Sequence, residues 1–147
     1  MGAMRYVHNV LNEKGSRVWT ATPDMSVWEA IEMMADKNIG ALVVMDGESL
    51  IGIFSERDYA RHLALKGLRS RDTPVKQIMT EVIATVSTAH SVQDCMEIMT
   101  NERVRHLPVV EDERLIGLVS IGDVVKSIIS HQEHMIHQLE NYIAGRV

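Results

Sequence analysis

The sequence contains an internal duplication, and this feature restricts the possible folds more than any other. The segment LIGIFSERD at residues 50–58 returns as LIGLVSIGD at residues 115–123, 65 positions later. With that offset, residues 18–61 align with residues 83–126 without a gap, and about thirteen of the forty-four aligned pairs are identical. We therefore expect one supersecondary unit that is built twice, each copy with the same order of elements.

Each copy begins with an amphipathic helix. In SVWEAIEMMADKNI, apolar residues at helical spacing form one face, and Ser26 with Glu29 predicts a capping box. The face comprises Val27, Ala30, Ile31, Met34 and Ala35 in the first copy, and Val92, Cys95, Met96 and Met99 in the second, after Ser91 and Asp94. Because Cys95 takes the place of Ala30, it is predicted to be a small core residue rather than a reactive thiol.

Two short apolar runs follow each helix and predict a hairpin. ALVVM and LIGIF are separated by DGES, and LPVV and LIGLVS are separated by EDER. A second helix begins near Ser55 and Ser120, and a short strand, VWTA or VIATV, precedes each unit. The sequence thus predicts an α/β (α+β) fold with two β-α-β-β-α repeats, at residues 7–66 and 75–128.

The C-terminal segment, residues 129–147, predicts an extended helix. Apolar or neutral residues recur in it near a 3.5-residue spacing, at Val125, Ile128, Gln132, Met135, Leu139 and Tyr142. This stripe either packs back on the protein or pairs with a second chain. Pairing is the favoured alternative, which predicts a homodimer with the C-terminal helix as its contact.

Composition and charge exclude several classes of function. The formal net charge of −5 and the aromatic content of 4% argue against nucleic-acid binding. Cys95 is the only cysteine, so an intrachain disulfide cannot form and a reducing compartment is the simpler expectation. The sequence lacks both a signal-peptide pattern and an apolar run of about 20 residues, which predicts a cytoplasmic protein without a membrane partner.

The repeated motif Ser-x-x-Asp has two interpretations. Serine and aspartate at a strand-to-helix junction are good helix caps, which needs no ligand. A helix start also attracts anions, and a hydroxyl with a carboxylate suits a nucleotide's ribose and phosphate. Gly52 and Gly117 favour the second interpretation, because glycine inside a strand indicates a bulge or a close approach.

The tandem unit, with Gly-h-x-Ser-x-x-Asp at the end of each copy and VRHLPVV in the second, resembles a pair of cystathionine-β-synthase (CBS) domains, a Bateman module. The resemblance covers roughly residues 7 to 128 and is strongest to small stand-alone bacterial CBS-domain proteins. It implies two repeats packed with pseudo-twofold symmetry, with clefts between them that bind AMP, ADP, ATP, NAD or S-adenosylmethionine. A partner implied by this role is an unidentified downstream protein.

The resemblance also implies which residues bind the nucleotide. Asp58 and Asp123 would hold the ribose hydroxyls, and Ser55 and Ser120 would reach ribose or phosphate. Residues at the strand starts and two threonines would flank the adenine, namely Ile39, Gly40, Ala41, Val104, Arg105, His106, Pro108, Thr20 and Thr85. The phosphate would be held by Arg57, Arg105 and His106, with Lys14 as a weaker candidate.

Nothing in the pattern predicts catalysis or a metal site. An enzyme would need a nucleophile with a base, and neither Ser-x-x-Asp copy has a partnered histidine at a recognisable spacing. His131, His134 and His137 recur on the tail helix, but the first and last lie about 120° apart around a helix. The two hypotheses are a nucleotide-sensing module and a structural interaction module whose motifs only cap helices.

Overall fold

The computed structural model describes residues 4–145, which form two compact units. Arg17–Ile83 make up the continuous unit, and residues 4–16 together with 84–145 make up the discontinuous unit. The helices are α1 (Val7–Lys14), α2 (Val27–Lys37), α3 (Glu56–Asp58, continued by a π-helical segment, Tyr59–Ala64), α4 (Val75–Ile78), α5 (Val92–Glu102) and α6 (Ile121–Ile143). The strands are β1 (Thr20–Ala21), β2 (Ala41–Asp46), β3 (Ser49–Ser55), β4 (Thr80–Glu81), β5 (His106–Glu111) and β6 (Arg114–Ser120).

The continuous unit contains a four-stranded sheet in the order β1-β2-β3-β4. Strands β1 and β2 are parallel, whereas β3 is antiparallel to both β2 and β4. The hairpin pairs Ala41 with Ser55, and its register shifts after Val44. Buried apolar side chains from α2, the sheet and α4 form the core, with Leu42, Val44, Phe54 and Val75 fully enclosed.

The discontinuous unit repeats this hairpin. Strands β5 and β6 pair His106 with Ser120, and the register shifts after Val109, the residue equivalent to Val44. The predicted strand VIATV is wrong, because only Val86 pairs, through a single parallel bridge to Val109. In the first repeat the Val43 N–H donates to the Trp19 carbonyl at 3.3 Å, but the second repeat has Pro108 in the equivalent position, and proline has no N–H to donate to the equivalent Ala84 carbonyl.

Helix α1 occupies in one unit the place that α4 occupies in the other. The Val7 N–H donates to the His90 carbonyl at 2.9 Å, and the Val75 N–H donates to the equivalent Met25 carbonyl at 2.8 Å. The predicted repeat 7–66 included α1, which instead packs in the unit that contains the second repeat. The repeat boundaries themselves remain a prediction.

The two amphipathic helices bury the predicted face, with one exception in each. Val27, Ala30 and Met34 are buried in α2 and Ile31 is partly buried against the same core, but Ala35 is exposed. In α5, Val92, Cys95 and Met99 are buried, and Met96 is exposed. Cys95 has no exposed surface, which confirms its predicted core position.

The predicted C-terminal helix is the last part of α6, which begins directly after β6 at Ile121 and ends at Ile143. Residues 146–147 of the predicted segment lie outside the described part of the chain. Within residues 4–145, no helix is both long and apolar enough to cross a membrane.

Candidate functional site

Both Ser-x-x-Asp motifs form complete capping boxes. The Ser55 hydroxyl accepts the Asp58 N–H at 3.3 Å, and the Asp58 carboxylate accepts the Ser55 N–H at 2.9 Å. The same two bonds join Ser120 and Asp123, at 3.1 and 2.9 Å. Capping is therefore one role of these residues, and it explains why each helix begins directly after its hairpin.

The strand starts predicted as site residues lie beside these caps. The Gly40 carbonyl accepts the Glu56 N–H at 3.1 Å, and the equivalent Arg105 carbonyl accepts the Ile121 N–H at 2.9 Å. The fold thus assembles two sets of polar groups. The Asp58 cluster comprises Gly40, Ala41, Ser55, Asp58 and Thr80, and the Asp123 cluster comprises Lys14, Arg105, His106, Ser120 and Asp123.

Asp58 is almost enclosed by its own unit. The residue is 5% exposed, and besides Ser55 its carboxylate accepts the Thr80 hydroxyl at 2.7 Å. The His62 ring nitrogen Nε2 lies 3.7 Å from Oδ1 of the same carboxylate. Most of the acceptor capacity of Asp58 is therefore used inside the protein.

Asp123 is more accessible and is paired with a cation. Its carboxylate lies 2.6 Å from the Lys14 ammonium, which also donates to the Leu118 carbonyl at 2.9 Å. The side chain of Asp123 is 20% exposed and that of Lys14 is 38% exposed. Burial raises the pKa of Asp123, but the hydrogen bond and charge of Lys14 and the bonds from Ser120 outweigh it, so that the pKa lies below its ordinary value.

The two strand glycines make room for a protein side chain. A Cβ on Gly52 would lie 2.5 Å from the Met79 sulfur, and a Cβ on Gly117 would lie 2.7 Å from Cδ2 of Leu11. Leu11 belongs to α1, and Met79 directly follows α4. We call residues 7–14 and residues 75–81 the covering segments, because they pack on the equivalent glycines of the two hairpins. The close approach expected at these glycines is present, and packing alone is sufficient to require them.

The remaining predicted residues lie in different surroundings. Thr20 and Thr85 are exposed, as is Arg57 on α3. Ile39 and Val104 pack against the core of their own unit. Pro108 is fully buried in β5, where its carbonyl accepts the Val86 N–H at 3.0 Å.

Sequence reasoning missed Thr80 and the closeness of Lys14 to Asp123. The covering segments that carry these two residues are not part of the aligned repeat, so the duplication contained no signal for them. Sequence reasoning also did not identify an open pocket on the continuous unit. His62, Lys66, Leu68, Gln77, Ile78 and Met79 line this pocket.

Other reactive groups of the described residues do not form a second site. Burial raises the pKa of the Cys95 thiol to about 11, so this thiol is protonated near neutral pH. Within residues 4–145, no three histidine, cysteine, aspartate or glutamate side chains are grouped so that they could hold a metal ion.

Comparison with known proteins gives a consistent result for both repeats. The model of the CBS domain matches residues 13–65 and again residues 75–130. The CBS domain-containing protein CBSX3, mitochondrial, of Arabidopsis thaliana is 40% identical over 136 residues, which is 89% of this chain. The chain spans 66% of the length of that relative.

Two solved structures share both sequence and fold with this chain. The crystal structure of the CBS-domain protein NE2398 has a TM-score of 0.81 at 48% identity, covering 86% of this chain and 99% of its own. A protein with CBS domains from Burkholderia ambifaria MC40-6, to which a role in signal transduction has been attributed, has a TM-score of 0.81 at 45% identity. The match covers 85% of this chain and 94% of that one.

Proposed function

Because the chain belongs to the CBS-domain family through both of its repeats, we propose that it is a non-catalytic regulatory module that binds an adenosine-containing ligand such as AMP, ADP, ATP or NAD. Binding shifts the protein between conformations that a downstream protein distinguishes. Such a shift requires that the ligand bind one conformation more tightly than the other. The role attributed to the Burkholderia protein, signal transduction, agrees with this proposal.

The Asp123 cluster is the observation that carries the proposal. It groups a hydroxyl, a carboxylate and an ammonium at the start of a long helix, and the carboxylate and ammonium are part-exposed. A carboxylate can accept two ribose hydroxyls, and a helix start favours a phosphate. Lys14 donates to Asp123 and Leu118, and an ammonium has a third donor that can reach a phosphate oxygen.

We assign the first ligand to the Asp123 cluster rather than to the Asp58 cluster. A ligand at Asp58 has to displace the Thr80 hydroxyl or a capping bond from a carboxylate that is 5% exposed. The breaking of a buried hydrogen bond costs about 1 kcal/mol or more. The two clusters therefore differ in affinity, with Asp58 as the weaker.

Thermal unfolding with AMP, ADP, ATP, NAD and GMP tests this function. A ligand at about 100 times its dissociation constant adds about 2.7 kcal/mol to the free energy of unfolding. We expect a response to an adenosine compound that Asp123→Asn removes, since the asparagine side-chain oxygen can still accept the Ser120 N–H, whereas an uncharged amide binds ribose hydroxyls less well than a carboxylate. Mass spectrometry of small molecules released from freshly purified protein identifies the ligand.

Asp94→Asn is the matched control for this experiment. Ser91 and Asp94 form another capping box in the same unit, with bonds of 2.9 Å in both directions, and neither is a proposed ligand residue. The variant is expected to keep the ligand response. Equal responses in Asp94→Asn and Asp123→Asn contradict the assignment of the ligand to the Asp123 cluster.

A structural interaction module is the second candidate function. It is favoured by the capping boxes at Ser55 and Ser120 and by the enclosed carboxylate of Asp58, all of which are accounted for without a ligand. In that case no adenosine compound changes the unfolding temperature. The Asp58→Asn Asp123→Asn double variant then differs from the parent protein only in stability.

A further inference from the structure

Positive charge is concentrated in one stretch of the continuous unit. Residues 57–76, which we call the basic segment, contain six lysine and arginine residues and two aspartates, whereas the whole chain has 15 lysine and arginine residues and 20 acidic residues. All six cationic residues are exposed, and one of the two aspartates, Asp58, is almost enclosed. The basic segment therefore gives a chain of net charge −5 a local surface that attracts anions.

The pocket on the continuous unit, which we call the His62 pocket, opens on this segment. It has a volume of about 290 Å³, close to the lower end of the range of about 300–1,000 Å³ that is typical of small-molecule sites. Three of its lining residues are polar and three are apolar, and none is acidic: His62, Lys66, Gln77, Leu68, Ile78 and Met79. Such a lining suits a small ligand that has both an anionic and an apolar part.

The turn after the first unit's last helical segment forms one wall of the pocket. The segment ends at Ala64, and Gly67, with a φ of 69°, reverses the chain so that Leu68 returns to the core. The Leu68 N–H donates to the Leu63 carbonyl at 3.1 Å, which holds this turn closed. The opposite wall is the end of α4 and the residue after it.

The polar side chains of the pocket have donors that the protein does not use. Lys66 and Gln77 form no side-chain hydrogen bond or ion pair with any residue that the structure describes. The His62 ring nitrogen Nε2 lies 3.7 Å from Oδ1 of Asp58, and Nδ1 has no hydrogen-bond partner among the same described residues. An ammonium has three donors and a carboxamide has two, so a ligand with several acceptor oxygens uses this set best.

The discontinuous unit satisfies the equivalent position with its own groups. Ser127 follows Asp123 by four residues, as His62 follows Asp58, but Ser127 is 3% exposed and its hydroxyl accepts the Arg5 Nε–H at 3.0 Å. Arg5 is in turn paired with a carboxylate of α1. The protein thus supplies both a cation and its anion in that unit, whereas the lining of the His62 pocket supplies a cation without a carboxylate.

We propose that the His62 pocket binds a small phosphate ester, with the phosphate at its three polar side chains and an apolar group against Leu68, Ile78 and Met79. A phosphate suits this pocket better than a carboxylate because it carries up to two negative charges and has three acceptor oxygens. The ammonium of Lys66 supplies the main attraction, as a flexible point charge. No residue of the Asp123 cluster contributes, so this site is independent of the proposed nucleotide function.

Titration of the isotope-labelled full chain with phenyl phosphate, followed by amide NMR, tests the site. This probe carries a phosphate and an apolar ring, and inorganic phosphate and phenol are its two halves. We expect phenyl phosphate to bind more tightly than either half and to shift the signals of residues 62–68 and 77–79. Shifts confined to residues near Asp123 would mean that the probe occupies the proposed nucleotide site, and they would overturn the proposal, as would the absence of a saturable shift.

Two lysine variants test which charge binds the probe. Lys66→Gln should weaken phenyl phosphate binding about tenfold, the loss expected for one hydrogen bond to a charged group. Lys76→Gln removes the same charge from an exposed position outside the pocket lining, where Lys76 pairs with Asp24, and should leave the affinity unchanged. A thermal melt verifies that both variants fold.

Equal affinities of Lys66→Gln and the parent protein, or equal losses in both lysine variants, contradict the site. The response to adenosine compounds should be the same in Lys66→Gln and in the parent protein. Loss of that response in Lys66→Gln would make the pocket part of the nucleotide site and overturn the proposal of a separate one.

Discussion

At the scale of single residues, Gly117 is constrained by a side chain from the far end of the sequence. Leu11 lies 106 positions earlier in the chain and fills the space in which a Cβ would stand. The equivalent Gly52 is covered by Met79 in the same manner. The glycine that both repeats share therefore reflects a repeated tertiary contact, in which a covering segment lies directly on the hairpin.

We predict that Gly117→Ala destabilises the protein by about 1–3 kcal/mol, because the added methyl group overpacks against Leu11. Urea unfolding of the single variant and of Gly117→Ala Leu11→Val checks this value. Shortening the side chain of residue 11 by one methylene should make the cost of the alanine smaller. As a control, Gly122→Ala lies in α6 with its nearest neighbour, the Ser120 hydroxyl, at 3.6 Å, and should be neutral or stabilising. Equal losses in both alanine variants would contradict the role of Leu11.

Cys95 is predicted to be unreactive in the folded protein. Its thiol has no exposed surface, and burial raises its pKa to about 11, so thiolate is scarce at neutral pH. Labelling with a chromogenic disulfide reagent should be slow in buffer and complete in denaturant. Met96→Cys supplies the comparison, because position 96 is 38% exposed on the same helix. Rapid loss of both thiols of that variant would show that Cys95 is accessible.

At the scale of elements, α1 is joined to the start of α6 by the ion pair of Lys14 and Asp123. The same ammonium donates to the Leu118 carbonyl in β6, so one side chain connects three elements. In the continuous unit, the Thr80 hydroxyl joins β4 to α3 through Asp58. Each covering segment thus packs on the strand glycine of its unit and also forms a hydrogen bond to the motif aspartate.

The Lys14–Asp123 pair predicts a pH-dependent contribution to stability. The pKa of Asp123 is lowered in the folded protein, so its contribution is present above the unfolded pKa of about 3.9 and is lost as the pH falls through the folded pKa. Lys14→Met should cost about 1 kcal/mol at pH 7 and less near pH 2.5. Urea unfolding at both pH values measures this difference.

Lys76→Met is the control for that measurement. Lys76 pairs with Asp24 at 2.8 Å, but both side chains are more than half exposed, at 55% and 82%. Solvent screens such a pair, and the variant should unfold like the parent protein at either pH. If Lys14→Met lowers the free energy of unfolding equally at pH 7 and pH 2.5, the lost stability does not come from the pair with Asp123.

At the scale of the whole molecule, segments that are neighbours in sequence do not always pack in the same unit. Helix α1 lies next to the first repeat in sequence, but its buried residues Val7, Val10 and Leu11 belong to the core that contains the second hairpin. The segment that covers the first hairpin comes from the middle of the chain, in α4. The two hairpins are therefore covered by helices from different parts of the chain. Helix α1, near the start of the chain, covers the second hairpin, and α4, which follows the first hairpin, covers the first.

Val7→Ala and Val75→Ala should destabilise different parts of the molecule. Both valines have no exposed surface and occupy equivalent positions in α1 and α4. Each substitution should cost roughly 2 kcal/mol, through lost burial and a small cavity. Hydrogen exchange followed by mass spectrometry should show faster exchange in residues 106–120 for Val7→Ala and in residues 41–55 for Val75→Ala. Faster exchange of residues 41–55 in Val7→Ala would contradict the division into units.

The sequence was most informative where a pattern repeats locally. The duplication predicted both hairpins, and the helical spacing of apolar residues predicted α2 and α5 and most of their buried faces. The capping signals located the helix starts after Ser55 and Ser120. These features depend on residues within a few positions of each other, so their spacing is visible in the letters.

The site was predictable only in part, for the same reason. Strand pairing places Ala41 beside Ser55 and His106 beside Ser120, and this follows from the hairpins. The contact of Lys14 with Asp123 joins residues 109 positions apart, and no local pattern specifies it. Likewise the predicted strand at VIATV is reduced to one bridge, because Pro108 lacks the N–H that the equivalent Val43 donates in the first repeat.

By itself, the sequence determined that this chain is a tandem pair of one unit with capped helices and hairpins, since periodicity and capping are local properties. Only the tertiary structure decided which covering helix belongs to which hairpin, and hence that Leu11 and Met79 occupy the space beside the two glycines. It also decided that Asp58 is enclosed while Asp123 is part-exposed beside Lys14. These contacts and burials result from packing between segments that are distant in sequence, because they depend on which surfaces meet.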